Sequence, residues 1–246
     1  MVANLALVPV LTMAASPPSS PRLSDWWLER EALPAPDTRP YYLLGTDAGE
    51  QQRLGRRLLA ELTTLIGQAE LGRPHLRQAG LMAWRQAIRR GLARGGRTPA
   101  RADLAALLAH PRHDPPLASL DTIGVCQAPD WVEVWSREGV TRLPWTARMR
   151  LSDLLARLPP EALGTTQAAR LVSPHRPPRR LGIAAWNAQE AELVPGSRLV
   201  LELSDDLPAA AWLNRHLPDF LATRLPGGSC TPLGPTPTAS QRTRST

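Results

Sequence analysis

The side chains with the most chemistry are scattered through this chain, and their spacings argue against a catalytic centre. His110-Pro111-Arg112-His113-Asp114 is the run with metal-ligand residue types. Two histidines three apart share a face only on a helix, Pro111 opposes a helix there, and no third or fourth ligand of suitable spacing stands nearby. The run reads as a polar loop, and no metal or other cofactor is expected. Asp205-Asp206 follows an alternating stretch and precedes Leu207-Pro208, the setting of a solvated loop rather than of a general acid and its base. There is no G-x-S-x-G, no cysteine nucleophile with a partner signature, and no Walker or Rossmann glycine pattern. Gly95-Gly96-Arg97 is too short to cradle a phosphate. The chain is therefore expected not to be an enzyme.

Three further features leave alternatives open. Cys126 and Cys230 would pair in an oxidising compartment, but no local motif demands it, and a free thiol at Cys230 fits as well. Trp186-Asn187 forms a corner in which the indole either stacks on a sugar face or packs over a sheet while Asn187 makes the turn. Residues 1–20 carry an apolar stretch from Leu5 to Met13 and a small-residue exit at Ala14-Ala15-Ser16, but no basic residue precedes Arg22. They read as a secretory signal or as an ordinary first strand.

Composition narrows the class. The 246 residues suffice for one large or two small domains, and 43% hydrophobic content can bury a core. Proline, at 26 residues, is about twice its usual share of ~5%, so short elements and loops are expected over long helices. The net charge of +7 is carried without a single lysine. An all-arginine base set beside abundant Ala, Leu, Gly and Pro fits a GC-rich codon bias, and it also fits an anionic partner such as acidic polysaccharide. No basic stripe interleaves with aromatics, so no nucleic acid is expected. No apolar run approaches the ~20 residues of a membrane span.

Periodicity places the elements. Arg22–Arg30 reads as a short helix with Leu23, Trp26 and Trp27 on one side, and Tyr41–Leu44 as a strand. Leu54, Leu58, Leu62, Leu65 and Ile66 line one face of a helix over Asp47–Glu70, and Leu81, Trp84, Ile88 and Leu92 one face of a second over His75–Leu92. Gly95-Gly96 ends that hairpin. A short helix over Arg101–Leu108 and a strand at Thr122–Val125 follow. Trp131–Trp135 alternates, turns at Ser136–Gly139 and returns over Val140–Leu143. Leu151–Leu158 is a short helix, and strands are expected at Arg170–Ser173, Leu181–Trp186 and Arg198–Leu203. Leu181–Leu203 reads as strand, Trp-Asn corner, Pro-Gly turn and return strand. Hairpin, helix and further strands are the order of a β-grasp unit.

Ala209–Leu225 is an amphipathic helix that Pro218 should kink or split. Its apolar band of Trp212, Leu213, Leu217, Phe220 and Leu221 either packs on the core or docks a membrane or partner. Residues after Pro226 have the composition of a disordered tail.

In this order the motifs resemble the GfcC-type capsule biosynthesis family: Arg22-Leu23-Ser24-Asp25, Gly96-Arg97, Val132 to Trp135 with Gly139 and Leu143-Pro144, Leu151 to Leu158, Ile183-Ala184-Ala185-Trp186-Asn187, and Pro195-Gly196-Ser197. The resemblance implies an α+β chain of two β-grasp (SLBB-like) domains with an inserted helical hairpin and a C-terminal amphipathic helix. The domains would be a signal-like segment at 1–20, a first β-grasp domain at 22–128 with its hairpin at about 47–92, a second at 129–206, the helix at 208–225 and a disordered tail at 226–246. The 21 residues ahead of Arg22 cannot hold both the signal and the first strand that family members have, so the first domain is expected to be trimmed or the gene start to lie upstream.

The resemblance further implies a periplasmic, non-enzymatic accessory protein of capsule or exopolysaccharide biosynthesis and export. It would meet an outer-membrane exporter, an associated lipoprotein or acidic polysaccharide. It also implies a functional arginine in a pocket of the first domain, matched here to Arg97; Trp186 and Asn187 are the other candidate ligand residues. The alternatives are a polysaccharide-modifying or hydrolysing enzyme and, less favoured by the residues, a basic nucleic-acid binder.

Overall fold

The computed structural model describes residues 20–30, 34–72, 76–204 and 206–234. Apart from Ser20, the signal-like segment lies outside them. The described elements run α1 (Leu23–Leu28), β1 (Thr38–Leu44), α2 (Asp47–Glu70), α3 (Gln78–Ala93), α4 (Leu104–Ala109), β2 (Leu120–Gln127), β3 (Trp131–Ser136), β4 (Gly139–Pro144), α5 (Leu151–Leu155), α6 (Pro160–Leu163), β5 (Ala168–Ser173), β6 (Arg176–Gly182), β7 (Arg198–Leu201), α7 (Pro208–Ala222) and β8 (Cys230–Gly234). This is an α+β fold with two sheets, of order β1-β2-β8 and β4-β3-β7-β5-β6.

In the five-stranded sheet β3 and β7 run parallel, and the pairs β3–β4, β5–β7 and β5–β6 are antiparallel. The two-residue period of a strand divides its side chains between two cores. Val132, Val134, Ala169, Leu171, Leu199 and Leu201 face a layer that contains Leu151 and Leu154 of α5. Trp135, Val172 and Val200 face the opposite layer, where Leu58 and Leu62 of α2, Trp84 and Ile88 of α3, and Leu213, Leu217 and Phe220 of α7 close over them. The sheet is thus covered on both faces. Trp84 fixes the contact of α3 with the β3–β4 hairpin: its ring lies 5.6 Å from that of Trp135, and its Nε1 donates to Ser136 O at 2.8 Å.

The three-stranded sheet has its own small core of Leu23, Trp27, Tyr42, Leu107, Leu120 and Ile123. Asp114 anchors α1 onto it by accepting from Ser24 N at 3.1 Å and Ser24 Oγ at 2.6 Å.

The helices lie where their apolar spacing puts them, α3 starting at Gln78 rather than His75. Three expectations change. Leu181–Leu203 is not a strand with its return strand: β6 starts earlier, at Arg176, and β7 enters between β3 and β5, so β6 and β7 are not neighbours. Long-range pairing sets that order, which local turn signals do not record. Second, α7 is not split at Pro218. Leu213, Leu217, Phe220 and Leu221 on both sides of the proline are buried in one core, which carries the helix through it. Third, the stretch after Pro226 is not wholly without structure. Residues Cys230–Gly234 pair with β2 and satisfy the backbone groups of its second edge, and Cys230 is disulfide-bonded to Cys126, its partner in the strand register. The free-thiol alternative for Cys230 is thereby replaced.

Candidate anion-binding cleft

A cleft of about 520 Å³ opens where the ends of α3 and α7 meet the β3–β4 hairpin and the start of β7. Strand register builds its centre. Glu133 and Trp135, two apart, lie on the same face of β3. Glu133 pairs in register with Arg142 on β4 and with Arg198 on β7. Its carboxylate accepts from Arg142 Nε at 2.9 Å and from Trp135 Nε1 at 2.9 Å, and lies 3.5 Å from Arg198 Nε. The Arg142 guanidinium also covers the Trp131 ring at 4.1 Å.

Two helix C-termini hold the buried arginines. Arg198 donates to Leu221 O at 2.8 Å and Leu225 O at 3.2 Å, at the end of α7. Arg224 donates to Gly91 O at 3.0 Å and Gly95 O at 3.1 Å, at the end of α3, and to Gln51 Oε1 at 2.6 Å. Carbonyls left over at a helix end carry partial negative charge, so Arg224 meets a dipole in place of a carboxylate, and Arg198 meets one in addition to Glu133. Burial lowers the Arg198 pKa, the Glu133 charge opposes that shift, and Arg142 adds to it. Burial and then the Arg198 charge push Arg224 down to about 10, which leaves it a cation at neutral pH.

Arg90 and Arg94, in and just past the last turn of α3, complete the rim. They are exposed, and their side chains have no acceptor among the described residues. The cleft therefore gathers five guanidinium groups around one carboxylate that is already engaged. That arrangement can hold an oxyanion by charge-assisted, forked hydrogen bonds. Its lining includes no histidine, and its only cysteine is in the disulfide.

The residues expected from sequence lie elsewhere. Arg97 is only 5% exposed, and carbonyls surround its guanidinium: Nη2 donates to Pro174 O at 3.0 Å, Nε to Arg224 O at 3.4 Å and Nη1 to Ala100 O at 3.4 Å. It is neither a surface arginine beside a turn nor a lining residue of this cleft. It ties the loop after α3 to the β5–β6 turn and to the end of α7. Burial pushes its pKa down to about 10, with the Arg198 charge adding and Tyr42 opposing.

Trp186 is 76% exposed and does not pack over the sheet. Asn187 does make the turn: its Oδ1 accepts from Ala184 N at 3.0 Å and its Nδ2 donates to Gln167 O at 3.2 Å. Neither lines the cleft. The apolar band of α7 is not free to dock a membrane or partner, because Leu213, Leu217, Phe220 and Leu221 are buried in the core. Trp212, half-buried, sits between the His216 ring at 4.3 Å and the Arg57 guanidinium at 4.5 Å.

Sequence reasoning missed Arg90, Arg94, Arg142, Arg198 and Arg224 as a group. The signal was the lysine-free excess of +7, but arginines distributed along the chain carry no mark of which ones converge.

Residues 139–226 match the family described as capsule biosynthesis GfcC C-terminal. The match runs from the start of β4 past the end of α7 and takes in Arg142, Arg198 and Arg224; Arg90, Arg94 and Glu133 precede it. No curated protein matches the chain.

Proposed function

From the premise that this chain belongs, through residues 139–226, to the GfcC-type capsule biosynthesis family, we propose that it is a non-enzymatic accessory protein of capsule or exopolysaccharide biosynthesis and export. It works in the periplasm, against an outer-membrane exporter or an associated lipoprotein, and meets acidic polysaccharide at the arginine cleft. The family match is the observation that carries this reading.

Other features agree with it. The order β4-β3-β7-β5-β6, with a hairpin at each edge, a parallel central pair and α5 on one face, supports a β-grasp reading of the second domain. The insertion of α2 and α3 between β1 and β2 supports a first domain with a helical hairpin. A disulfide between Cys126 and Cys230 suits an oxidising compartment. No described helix is long and apolar enough to cross a membrane. The unengaged Arg90 and Arg94 suit a polyanion, and Trp186, presented outward by Asn187, offers a ring for sugar stacking. Arg97 contributes by position, through the Arg224 carbonyl it donates to.

Deletion of the gene tests the role. Surface polysaccharide should fall, and return on complementation with the wild-type gene but only in part with an Arg90→Ala/Arg94→Ala version. A deletion strain with unchanged surface polysaccharide removes the reading. Fractionation of a tagged chain should recover it from the periplasm.

A further inference from the structure

A second basic cleft, of about 500 Å³, lies at the seam between the two sheets, where β1 faces the β5–β6 hairpin. Arg39 reaches it from β1, Arg101 and Asp103 from the loop before α4, and Arg176 and Arg179 from β6. Asp103 is already engaged: it receives both Arg101 Nε and Nη2 at 2.8 Å, and it caps α4 by accepting from Ala106 N at 3.0 Å. Arg39, Arg176 and Arg179 have no side-chain acceptor among the described residues, and the buried Nε of Arg39 is without a hydrogen-bond partner. A buried guanidinium N–H without an acceptor is costly, so an orphan among further unengaged arginines marks a place prepared for an anion. Pro40 and Pro177 add flat apolar surface beside these cations.

His175, in the β5–β6 turn, reports the same imbalance. It keeps part of its surface in solvent, yet desolvation by its neighbours pushes its pKa down to about 4. The charges of Arg39, Arg101 and Arg97 add to that shift, and Asp103 opposes it. Glu192 is the other carboxylate at the cleft.

We propose that this seam cleft is a second oxyanion site, separate from the one at the helix ends, which takes the carboxylate of an acidic sugar between Arg39, Arg176 and Arg179. Two forked donors on an edge strand and one buried donor match the flat, two-oxygen face of a carboxylate. The sugar as its source rests on the reading under Proposed function.

The test follows the His175 imidazole by ¹H–¹⁵N NMR, assigned with His175→Gln, while a galacturonic acid oligomer is added to the full chain. The His175 pKa should rise by about one unit as a carboxylate arrives, and Arg176→Ala/Arg179→Ala should weaken binding about tenfold. Both arginines are exposed, so the double variant keeps its circular dichroism spectrum. Arg56→Ala, on the outer face of α2, should behave as wild type. An unmoved His175, equal binding by the double variant, or the same response to neutral dextran overturns the proposal. Inorganic phosphate binding as tightly as the oligomer overturns it in favour of a plain phosphate site. A deletion strain with normal surface polysaccharide beside an intact His175 response would end the capsule reading and leave the site standing.

Discussion

Arg224 donates to the carbonyl of Gly91 at 3.0 Å, so the last turn of α3 is closed by a side chain from 133 positions further along the chain. The same guanidinium reaches Gly95 O, Thr223 Oγ1 and Gln51 Oε1. Arg224→Ala would remove the donor from all of these acceptors and leave the buried Gln51 Oε1 without it. We expect a loss of about 2–4 kcal/mol in urea-induced unfolding. Arg224→Lys keeps the charge but not the fork, and should recover less than half of the loss. A wild-type denaturation midpoint for Arg224→Ala would show that the cap is unimportant.

Two glycines inside helices should respond in opposite directions to alanine. Either change gains helix propensity of about 1 kcal/mol. At Gly67 in α2 a new Cβ meets nothing within 4 Å, so Gly67→Ala should raise stability by about 0.5–1 kcal/mol. At Gly80 in α3 it would stand 1.9 Å from the carbonyl oxygen of Arg137, and backbone there cannot swing aside as a flexible side chain can. Overpacking of about 1–3 kcal/mol then outweighs the propensity, and Gly80→Ala should lower the melting temperature.

The disulfide joins residues 104 positions apart and fastens β8 to the edge of β2. Reduction, or Cys126→Ser with Cys230→Ser, should cost about 2–4 kcal/mol. Amide exchange should speed up first at Thr231 and Leu233. Native chain treated with maleimide should take up no label until reductant is added.

Glu202 gives an acid-side prediction. Burial alone would raise its pKa, but hydrogen bonds from Arg180 and Arg170, together with their charges, hold it below the ordinary carboxylate value. A carboxylate with a lowered folded pKa contributes stability above its unfolded value of about 4.3, and that stability is lost as pH falls through the folded value. The melting temperature should therefore fall below about pH 4, and less steeply in Glu202→Gln, which has already lost the charge. Equal slopes for the two chains would remove Glu202 from the acid transition.

Much of the local structure was legible. The spacing of Leu58, Leu62 and Leu65 in α2, and of Leu81, Trp84 and Ile88 in α3, is the helical period itself. The alternation of Val132 and Val134 against Glu133 and Trp135 likewise foretells which side chains of β3 share a face. The order of the motifs pointed to the family that residues 139–226 match.

What only the tertiary structure decided is who meets whom. Periodicity says that β7 is a strand, not that it lies between β3 and β5, because pairing depends on backbone groups that every residue has. Cys230 looked like part of a loose tail until β2 offered it an edge and Cys126 a partner. The sequence by itself determined a surplus of arginine and the apolar faces of the long helices. The fold determined that Arg198 and Arg224 turn inward to helix ends while Arg90 and Arg94 stay unengaged at the rim. A guanidinium is satisfied by any carbonyl that geometry brings near, so no residue spacing along the chain could have told these arginines apart.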